Sequence, residues 1–576
     1  MDFRVRIIEW LAEQTGLPQE QLSEWLEVPP QPELGDYAFP CFRLAKTMRQ
    51  APPKIAAGLA EKAPLDLDWL EKIEAVGGYL NFFVNRASFI SRAVSAVLHA
   101  DAPLAQSDEG QGKNVIVEYS SPNIAKPFHV GHAFTTILGH ALYKIYDRLG
   151  YNAIRMNHLG DYGTQFGKLI VAYRLWGDEA ALVKEPIKEL LRIYVLFHDE
   201  AKDKPELEQQ AREAFRKLEA GAAEEMDLWK RFKDLSLKAF NTVYERLGVS
   251  FDYFYGESYY SDKIPDVVKL LREKQILTES EGAQVVMLDE YDLPPCIILK
   301  SDGTTIYASR DLAAVLFRDQ TWSFERNIYV VGMPQALHFR QVFSVLEKAG
   351  VEAAKRCVHV GFGLVKFPDR KLSTRSGHVV FLEDLLQESV DKTLEIIRKN
   401  DQLRQADMSE AEMRQVAEKI GIGAIVYTFL KNGRERDIVF SWDEMLDFDG
   451  DSAPYVQYTY ARARSILRKA GHDDAAADAG LAELMLLDSD DEFALAKLID
   501  GFPAAVSKAA YAYEPYMIVR QVTSLARAFN KYYNQTSILK TEDPALRRAR
   551  LALLQAVCKT INSGFELTGI EVVERM

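Results

Sequence analysis

The segment Ser121-Pro122-Asn123-Ile124-Ala125-Lys126-Pro127-Phe128-His129-Val130-Gly131-His132 decides the fold. It follows an apolar, β-branched run at 115–119 and precedes a helical pattern of apolar residues that begins at Ile137. A strand, a tight turn and a helix in this order place backbone N–H groups where they can face an anion. His129 and His132 can project from one side of the first helical turn, and Gly131 lets a ligand approach the backbone closely. The segment therefore predicts a phosphate site for a nucleotide. The simpler alternative is that two polar residues cap a helix.

Size and composition indicate a multidomain globular protein. A chain of 576 residues should form about three or four domains. A hydrophobic content of 48% and a charged content of 27% are ordinary for this class. There is no run of eighteen apolar residues, so no membrane span is expected, and acidic residues near the N-terminus argue against a signal peptide. The four cysteines lack metal-ligand spacing and suit reduced thiols in a cytoplasm: Cys41, Cys296, Cys357 and Cys558.

The net charge of −14 does not suggest a general binder of polyanions. Binding to a nucleic acid would need local basic surfaces, and the segment from Arg520 to Arg550 offers one. For any single residue in it, a solvated helix face is an equally good interpretation.

Changes in pattern along the chain predict the domain organisation. Residues 1–105 form a compact α/β unit, with helical patterns at 3–14 and 53–60 and a strand at 78–84. Residues 106–385 form the nucleotide-binding domain, interrupted at about 178–250 by a charged helical hairpin. A helical connecting region covers 386–450, and an all-helical domain covers 451–576. Strand-like runs recur in the second domain, and the spacing of the first two predicts a right-handed parallel crossover: 115–119, 153–157, 285–287, 296–299, 328–331 and 358–360.

The motif His-x-Gly-His resembles the first signature of class I aminoacyl-tRNA synthetases. The longer string from Ser121 to His132 resembles the arginyl-tRNA synthetase family in particular, and the resemblance extends over essentially the whole chain. It implies an α/β fold, with a Rossmann-type parallel-sheet catalytic domain, a helical insertion, an N-terminal α/β domain and a C-terminal all-α helical-bundle domain. One departure is the run Ala133-Phe134-Thr135-Thr136, where the family usually has Leu-Arg-Ser-Thr.

The resemblance also implies the ATP site. Activation of an amino acid joins its carboxylate to the α-phosphate of ATP, so the site needs prepositioned donors for the growing negative charge. His129 and His132 would contact the phosphates. Lys371-Leu372-Ser373-Thr374-Arg375-Ser376-Gly377 matches the second signature, with Thr374 in place of its second lysine, and Lys126 would replace that lysine. The implied catalytic residues are His129, His132, Lys126 and Lys371. Gly131, His338, Ser373 and Arg375 also contact ATP, and Mg²⁺ binds the phosphates.

The amino acid would be selected by its guanidinium group. A planar fork of donors requires carboxylates in a fixed geometry. The resemblance points to Glu257, Tyr307 and Asp311, of which the last two could meet if a helix begins at Tyr307. Taken singly, each acid is more often a surface charge or a helix cap. The α-amino and carboxylate ends of the substrate would be bound by four further residues: Glu118, Ser121, Asn123 and Gln335.

Aromatic and basic residues near the C-terminus suit stacking on unpaired bases, and in the family this region binds the anticodon. The predicted contacts with tRNA are Tyr455, Gln457, Tyr458, Arg462, Arg520 and Arg527. Most of the aromatic residues could equally belong to the core. The insertion is too short for an editing domain, so no editing is expected, and the family norm is a monomer.

Two other functions remain possible from the sequence. One is a class I synthetase for another amino acid, or a related nucleotidyl transferase. The other is a non-catalytic paralogue that only binds tRNA.

Overall fold

The computed structural model describes residues 3–63, 69–367, 380–404, 408–471 and 479–576. The chain forms two compact units, and each draws on separate parts of the sequence. The first contains residues 1–101, 462–501 and 524–560, and the second contains 102–461, 502–523 and 561–576.

The N-terminal part of the first unit is a small antiparallel sheet covered by helices. Its helices are α1 (Phe3–Thr15), α2 (Gln19–Trp25), α3 (Ala45–Met48), α4 (Pro52–Ala60) and α5 (Arg86–Leu98). Its strands are β1 (Tyr37–Pro40), β2 (Leu70–Val76) and β3 (Tyr79–Val84), in the order β1-β3-β2. Phe39 and Leu80 of the sheet are fully buried, and so are Ile7 and Leu11, which lie one helical turn apart on α1. Trp10 of α1 packs edge-on against Phe82 of β3 at 5.8 Å. The predicted helices at 3–14 and 53–60 and the strand at 78–84 are confirmed.

The second unit is built around a five-stranded parallel sheet. The remaining strands of the chain are β4 (Asn114–Glu118), β5 (Asn152–Asn157), β6 (Tyr253–Phe254), β7 (Leu277–Ser280), β8 (Ala283–Val286), β9 (Cys296–Leu299), β10 (Arg326–Val330), β11 (Cys357–Val360), β12 (Val365–Lys366) and β13 (Ile438–Val439). The order in the main sheet is β11-β10-β4-β5-β6, and every neighbouring pair is parallel. Chain order reverses between β4 and β10, and in doubly wound folds a ligand binds at the carboxyl ends of the strands at such a point.

Helices of the second unit pack against this sheet, and others form the insertion between β5 and β6. The helices are α6 (Val130–Arg148), α7 (Thr164–Trp176), α8 (Glu179–Lys184), α9 (Pro186–Asp203), α10 (Glu206–Glu219), α11 (Ala223–Arg246), α12 (Ile264–Glu273), α13 (Tyr307–Trp322), α14 (Ala336–Lys348), α15 (Leu382–Arg404), α16 (Glu410–Leu430) and α17 (Trp442–Met445). Residues 115–117 of β4 are fully buried, as expected of a central strand covered on both faces. The predicted parallel crossover from β4 to β5 is confirmed.

Two predictions for this region need correction or refinement. The insertion contains four helices, α8 to α11, instead of the two of a hairpin. Pro186 is the first residue of α9 and Pro205 precedes α10, so each proline divides what the sequence pattern presents as one helix. The strand-like runs at 285–287 and 296–299 lie outside the parallel sheet, because β8 and β9 pair with β7 in a separate antiparallel sheet.

The C-terminal part is entirely helical in the described residues. It consists of α18 (Ala453–Lys469), α19 (Leu481–Leu484), α20 (Asp490–Asp500), α21 (Phe502–Ala512), α22 (Tyr516–Gln535) and α23 (Pro544–Thr568). These helices are shared between the two units. Within the first unit, Phe89 of α5 packs edge-on against Phe493 of α20 at 5.3 Å. Within the second, the Tyr146 hydroxyl of α6 donates to the carbonyl of Ala510 in α21 at 3.1 Å. The domain boundaries predicted from the sequence stay predictions.

In the part of the chain that the structure describes, no helix is long and apolar enough to cross a membrane.

Candidate active site

The two signature histidines form the N-terminal cap of α6. Nδ1 of His129 accepts a hydrogen bond from the N–H of Gly131 at 3.0 Å, and Nδ1 of His132 accepts one from the N–H of His129 at 3.2 Å. A ring nitrogen that accepts from a backbone N–H carries no proton, so each neutral ring is protonated at Nε2. Burial lowers the pKa of both imidazoles, and the nearby Lys126 ammonium lowers these pKa values further. At neutral pH the two rings are therefore uncharged, and each presents an Nε2–H donor beside the helix start.

This geometry unites the two alternatives that the sequence left open. The histidines do cap the helix, and the cap itself fixes which nitrogen can donate to a phosphate. The ring centroids of His129 and His132 are 4.1 Å apart, so the two rings are close enough to donate to the same phosphate group.

The turn between β4 and α6 has an unusual backbone. Ser120, Ser121 and Ala125 have φ values of 67°, 45° and 60°, in a region that residues other than glycine seldom occupy. Side chains from α6 and α11 hold the turn, since the N–H of Ser120 donates to Thr135 Oγ1 at 3.1 Å and that of Ala125 to Ser236 Oγ at 3.1 Å. Backbone strain supported in this way is typical of functional sites.

The acids predicted to bind a guanidinium lie on two separate segments of the chain. Glu257 begins a short 3-10 helix after β6, and Asp311 lies on α13. That helix begins at Tyr307, which is the condition under which Tyr307 and Asp311 were expected to meet, and the Tyr307 ring packs edge-on against His338 at 4.7 Å. Oδ2 of Asp311 is 2.5 Å from Nε2 of His338. His338, predicted as a neighbour of the nucleotide, is thus bound to an acid of the amino-acid pocket in this structure.

His158 connects the helix-cap turn to these acids. Its backbone N–H donates to Ser121 Oγ at 3.3 Å. Its ring lies 3.9 Å from Glu118 through Nδ1 and 3.9 Å from Asp311 through Nε2. The structure therefore brings the turn before His129 and the carboxylate of Asp311 to one crevice at the carboxyl ends of the parallel strands.

The acids of the crevice have cationic or titratable neighbours. Burial raises the pKa of Asp311, but the hydrogen bond and charge of His338, together with the charges of His158 and Arg318, outweigh burial and hold that pKa below its ordinary value. Burial also raises the pKa of Glu257, and Arg310 opposes this rise without cancelling it. Glu118 is buried and forms an ion pair with the fully buried Arg318, which suits a fixed structural charge as much as a ligand-binding one.

The other predicted contacts with the amino acid are placed as follows. The Asn123 side chain packs against Gly160, where an added Cβ would lie only 2.2 Å from Asn123 Oδ1, so glycine is required there. Gln335 is exposed and directly precedes α14, after β10. Lys371, Ser373 and Arg375 of the second signature lie outside the described residues.

One of the residues predicted to contact tRNA is buried in the structure. Gln457 is fully buried, and its Nε2 donates to the carbonyls of Lys419 at 3.3 Å and Glu571 at 2.7 Å. The prediction of a surface contact for Gln457 is therefore wrong. The prediction failed because Gln457 lies in a run of aromatic and basic residues, and the sequence pattern did not show which of them point into the core and which point to solvent.

The other five predicted tRNA contacts retain surface exposure. Arg520 and Arg527 are exposed, and the three others are half-buried: Tyr455, Tyr458 and Arg462. In the first unit, Arg462 donates to Asn530 Oδ1 at 3.0 Å and lies over the Tyr533 ring at 5.4 Å.

Sequence reasoning missed three cationic or titratable residues of the crevice: His158, Arg310 and Arg318. A signal for His158 was available, because it directly follows β5 and the carboxyl ends of parallel strands meet at one edge. Arg310 and Arg318 looked like ordinary polar positions on a helix.

Among the described residues, no group of three or more His, Cys, Asp or Glu side chains could hold a metal ion.

Comparison with known proteins agrees with this geometry. Residues 93–442 match the family model "tRNA synthetases class I (R), catalytic domain", residues 456–576 match "DALR anticodon binding domain", and residues 3–84 match "Arginyl tRNA synthetase N terminal domain". An arginine–tRNA ligase of Clostridium perfringens is 55% identical over 577 residues, covering 100% of both chains, and one of Clostridium botulinum is 54% identical with the same coverage. The solved structure of Thermus thermophilus arginyl-tRNA synthetase superposes with a TM-score of 0.81 at 26% identity, covering 100% of both chains. The chain belongs to the class I arginyl-tRNA synthetase family.

Proposed function

We propose that the protein is an arginine–tRNA ligase. It activates L-arginine with ATP to arginyl-adenylate and transfers the arginyl group to the 3′ end of tRNA(Arg), with release of pyrophosphate and AMP. The observation that carries the proposal is the single crevice that contains both the His129–His132 donors and the carboxylates for a guanidinium. The full-length identity to arginine–tRNA ligases supports the same conclusion.

The donors at the start of α6 suit the activation step. An oxygen of the arginine carboxylate attacks the α-phosphorus of ATP, the bond to the bridging oxygen breaks, and pyrophosphate leaves with its electron pair. Negative charge on the phosphates is stabilised by the Nε2–H groups of His129 and His132, assisted by Lys126. Because these donors are fixed in advance by the helix cap, they need no reorganisation as charge develops. In the second step, a terminal ribose hydroxyl of the tRNA attacks the activated carbonyl and AMP leaves.

Recognition of arginine depends on the geometry of the acids. A guanidinium presents a planar fork of N–H groups, which carboxylates from two directions can accept, whereas the single ammonium of lysine cannot reach both. We assign this role to Glu257 and Asp311, with Tyr307 beside them, and assign the α-amino and carboxylate groups to Ser121, Asn123 and Gln335. A site that hydrogen-bonds its substrate rejects analogues by about 10⁴-fold or more, so this enzyme needs no editing.

Other parts of the proposal rest on the family. Mg²⁺ would accompany ATP through its phosphates, and Lys371, Ser373 and Arg375 would complete the nucleotide site. The anticodon would be bound through the exposed and half-buried residues of the C-terminal helices: Tyr455, Tyr458, Arg462, Arg520 and Arg527. The enzyme would act as a monomer in the cytoplasm, where its four buried thiols stay reduced.

A charging assay tests the proposal directly. The purified full-length protein is incubated with ATP, Mg²⁺, total tRNA and each amino acid in turn. Arginine alone should be attached to tRNA, with release of AMP. Charging by lysine or glutamate but not by arginine would contradict the proposal, and so would tRNA binding without any charging.

A further inference from the structure

Arg310 occupies an unusual place beside the proposed arginine pocket. It lies on α13 between Tyr307 and Asp311, and its side chain is only 10% exposed. Its Nε is 3.3 Å from Oε2 of Glu257. The guanidinium also lies over the ring of Tyr162, 5.3 Å from the centroid, and the Tyr162 hydroxyl donates to Glu219 at 2.7 Å. This buried arginine therefore lies between an aromatic ring and Glu257, the acid that is assigned to the substrate guanidinium.

The surroundings of Glu257 explain why a cation is needed there. Burial raises the pKa of this carboxyl group, and the nearby carboxylates of Asp311 and Asp161 raise it further. Two groups act in the other direction, and Arg310 is the stronger of them, with His158 the weaker. The nearby Lys233 forms an ion pair with Asp161 at 2.7 Å, so its charge is directed at Asp161 and not at Glu257.

We propose that Arg310 is a positioning residue of the arginine pocket, which holds Glu257 in place as a carboxylate so that it can accept the substrate guanidinium. This inference rests on the proposed function. Arg310 does not itself contact the reacting atoms, and it acts on the substrate only through Glu257.

The contact leaves Glu257 able to accept a second partner. A carboxylate has about four acceptor positions on its two oxygens, and Arg310 approaches one oxygen through Nε. The bidentate arrangement that an arginine and a carboxylate usually prefer is not formed here. The opposite interpretation is that Arg310 fills the place of the substrate and must leave before arginine binds. The two interpretations predict opposite changes in the KM for arginine.

The test compares R310Q and R310K in the charging assay at pH 7.5. R310Q should raise the KM for arginine about tenfold or more, because Glu257 loses the cation beside its carboxylate and is no longer held in place. The kcat and the KM for ATP should stay close to those of the wild type. R310K keeps the charge and should recover most of the loss. R356Q is the matched control, since Arg356 forms an ion pair with Asp319 at 2.9 Å.

A double-variant comparison separates an effect through Glu257 from a general loss of structure. If Arg310 acts through Glu257, then R310Q combined with E257Q should be no worse than E257Q alone, whereas a folding defect would lower the activity of the double variant further. An unchanged or lower KM for arginine in R310Q would overturn the inference, and so would a double variant much worse than E257Q. Arginine charging by the wild type in the same experiment tests the proposed function separately. Its absence would remove the function, whereas its presence with an unaffected R310Q would remove only the role of Arg310.

Discussion

Replacement of Asp311 by asparagine should cost most of the preference for arginine while leaving nucleotide binding intact. Asparagine has nearly the same shape and keeps an oxygen that can accept from His338, which now lies 2.5 Å from the carboxylate. What is lost is the negative charge opposite the guanidinium. A hydrogen bond to a charged group contributes about 1.5–3 kcal/mol, and a cation left without its counter-charge in a partly buried site adds to the cost.

A loss of about 2–4 kcal/mol corresponds to a decrease of about 30- to 1000-fold in kcat/KM for arginine, at about 1.4 kcal/mol for each factor of ten. The assay measures tRNA charging against arginine concentration, and then against ATP concentration at saturating arginine. D319N is the control, because Asp319 lies on the same helix and its carboxylate is bound to Arg356 at 2.9 Å, away from the pocket. A D311N enzyme with kcat/KM for arginine close to that of the wild type would remove Asp311 from the pocket.

Three further outcomes follow from the contacts described above. H129N and H132N keep an acceptor near the Nδ1 position and so keep the helix cap, but they lack the Nε2–H donor. The rate of pyrophosphate exchange, measured with tRNA present, should therefore fall about 10²- to 10³-fold, and the KM for arginine should change little. Q457L removes the two hydrogen bonds from the buried Gln457 amide to the carbonyls of Lys419 and Glu571, so it should lower the melting temperature without affecting tRNA affinity. R520Q should weaken tRNA binding and reduce the salt dependence of that binding, without affecting stability. Burial lowers the pKa of His140 from 6.5 to about 3, so below pH 6.5 the unfolded chain binds a proton that the folded chain excludes. The free energy of unfolding should therefore fall by about 1.4 kcal/mol per pH unit between pH 6.5 and pH 3. In thermal unfolding, H140L should lose this part of the acid sensitivity.

The sequence predicted those parts of the site that depend on neighbours along the chain. The cap at His129 and the start of α13 at Tyr307 both follow from local signals, namely a turn before an apolar helical pattern and residues spaced one helical turn apart. The parallel sheet was also predictable, because β4 and β5 are joined by a helix of the right length.

The parts that depend on distant packing could not be predicted. Arg310 and Arg318 are polar residues on one helix, and nothing in that helix shows that they face acids at Glu257 and Glu118. The same limit explains Gln457. Its burial is decided by the backbone of residue 571, which is 114 positions away.

Each acid predicted to meet the substrate has a cationic or titratable partner from the chain itself, and this bears on how arginine is selected. The pairs are Glu118 with Arg318, Glu257 with Arg310, and Asp311 with His338. Unpaired acids at these buried positions would be costly, and they would attract any cation, including lysine. Because these partners offset part of the acidic charge, an incoming cation gains less from long-range attraction and more from hydrogen-bond geometry. Only a planar fork that reaches two carboxylates at once provides that gain, so discrimination against lysine should persist at high salt, where attraction between exposed charges is screened.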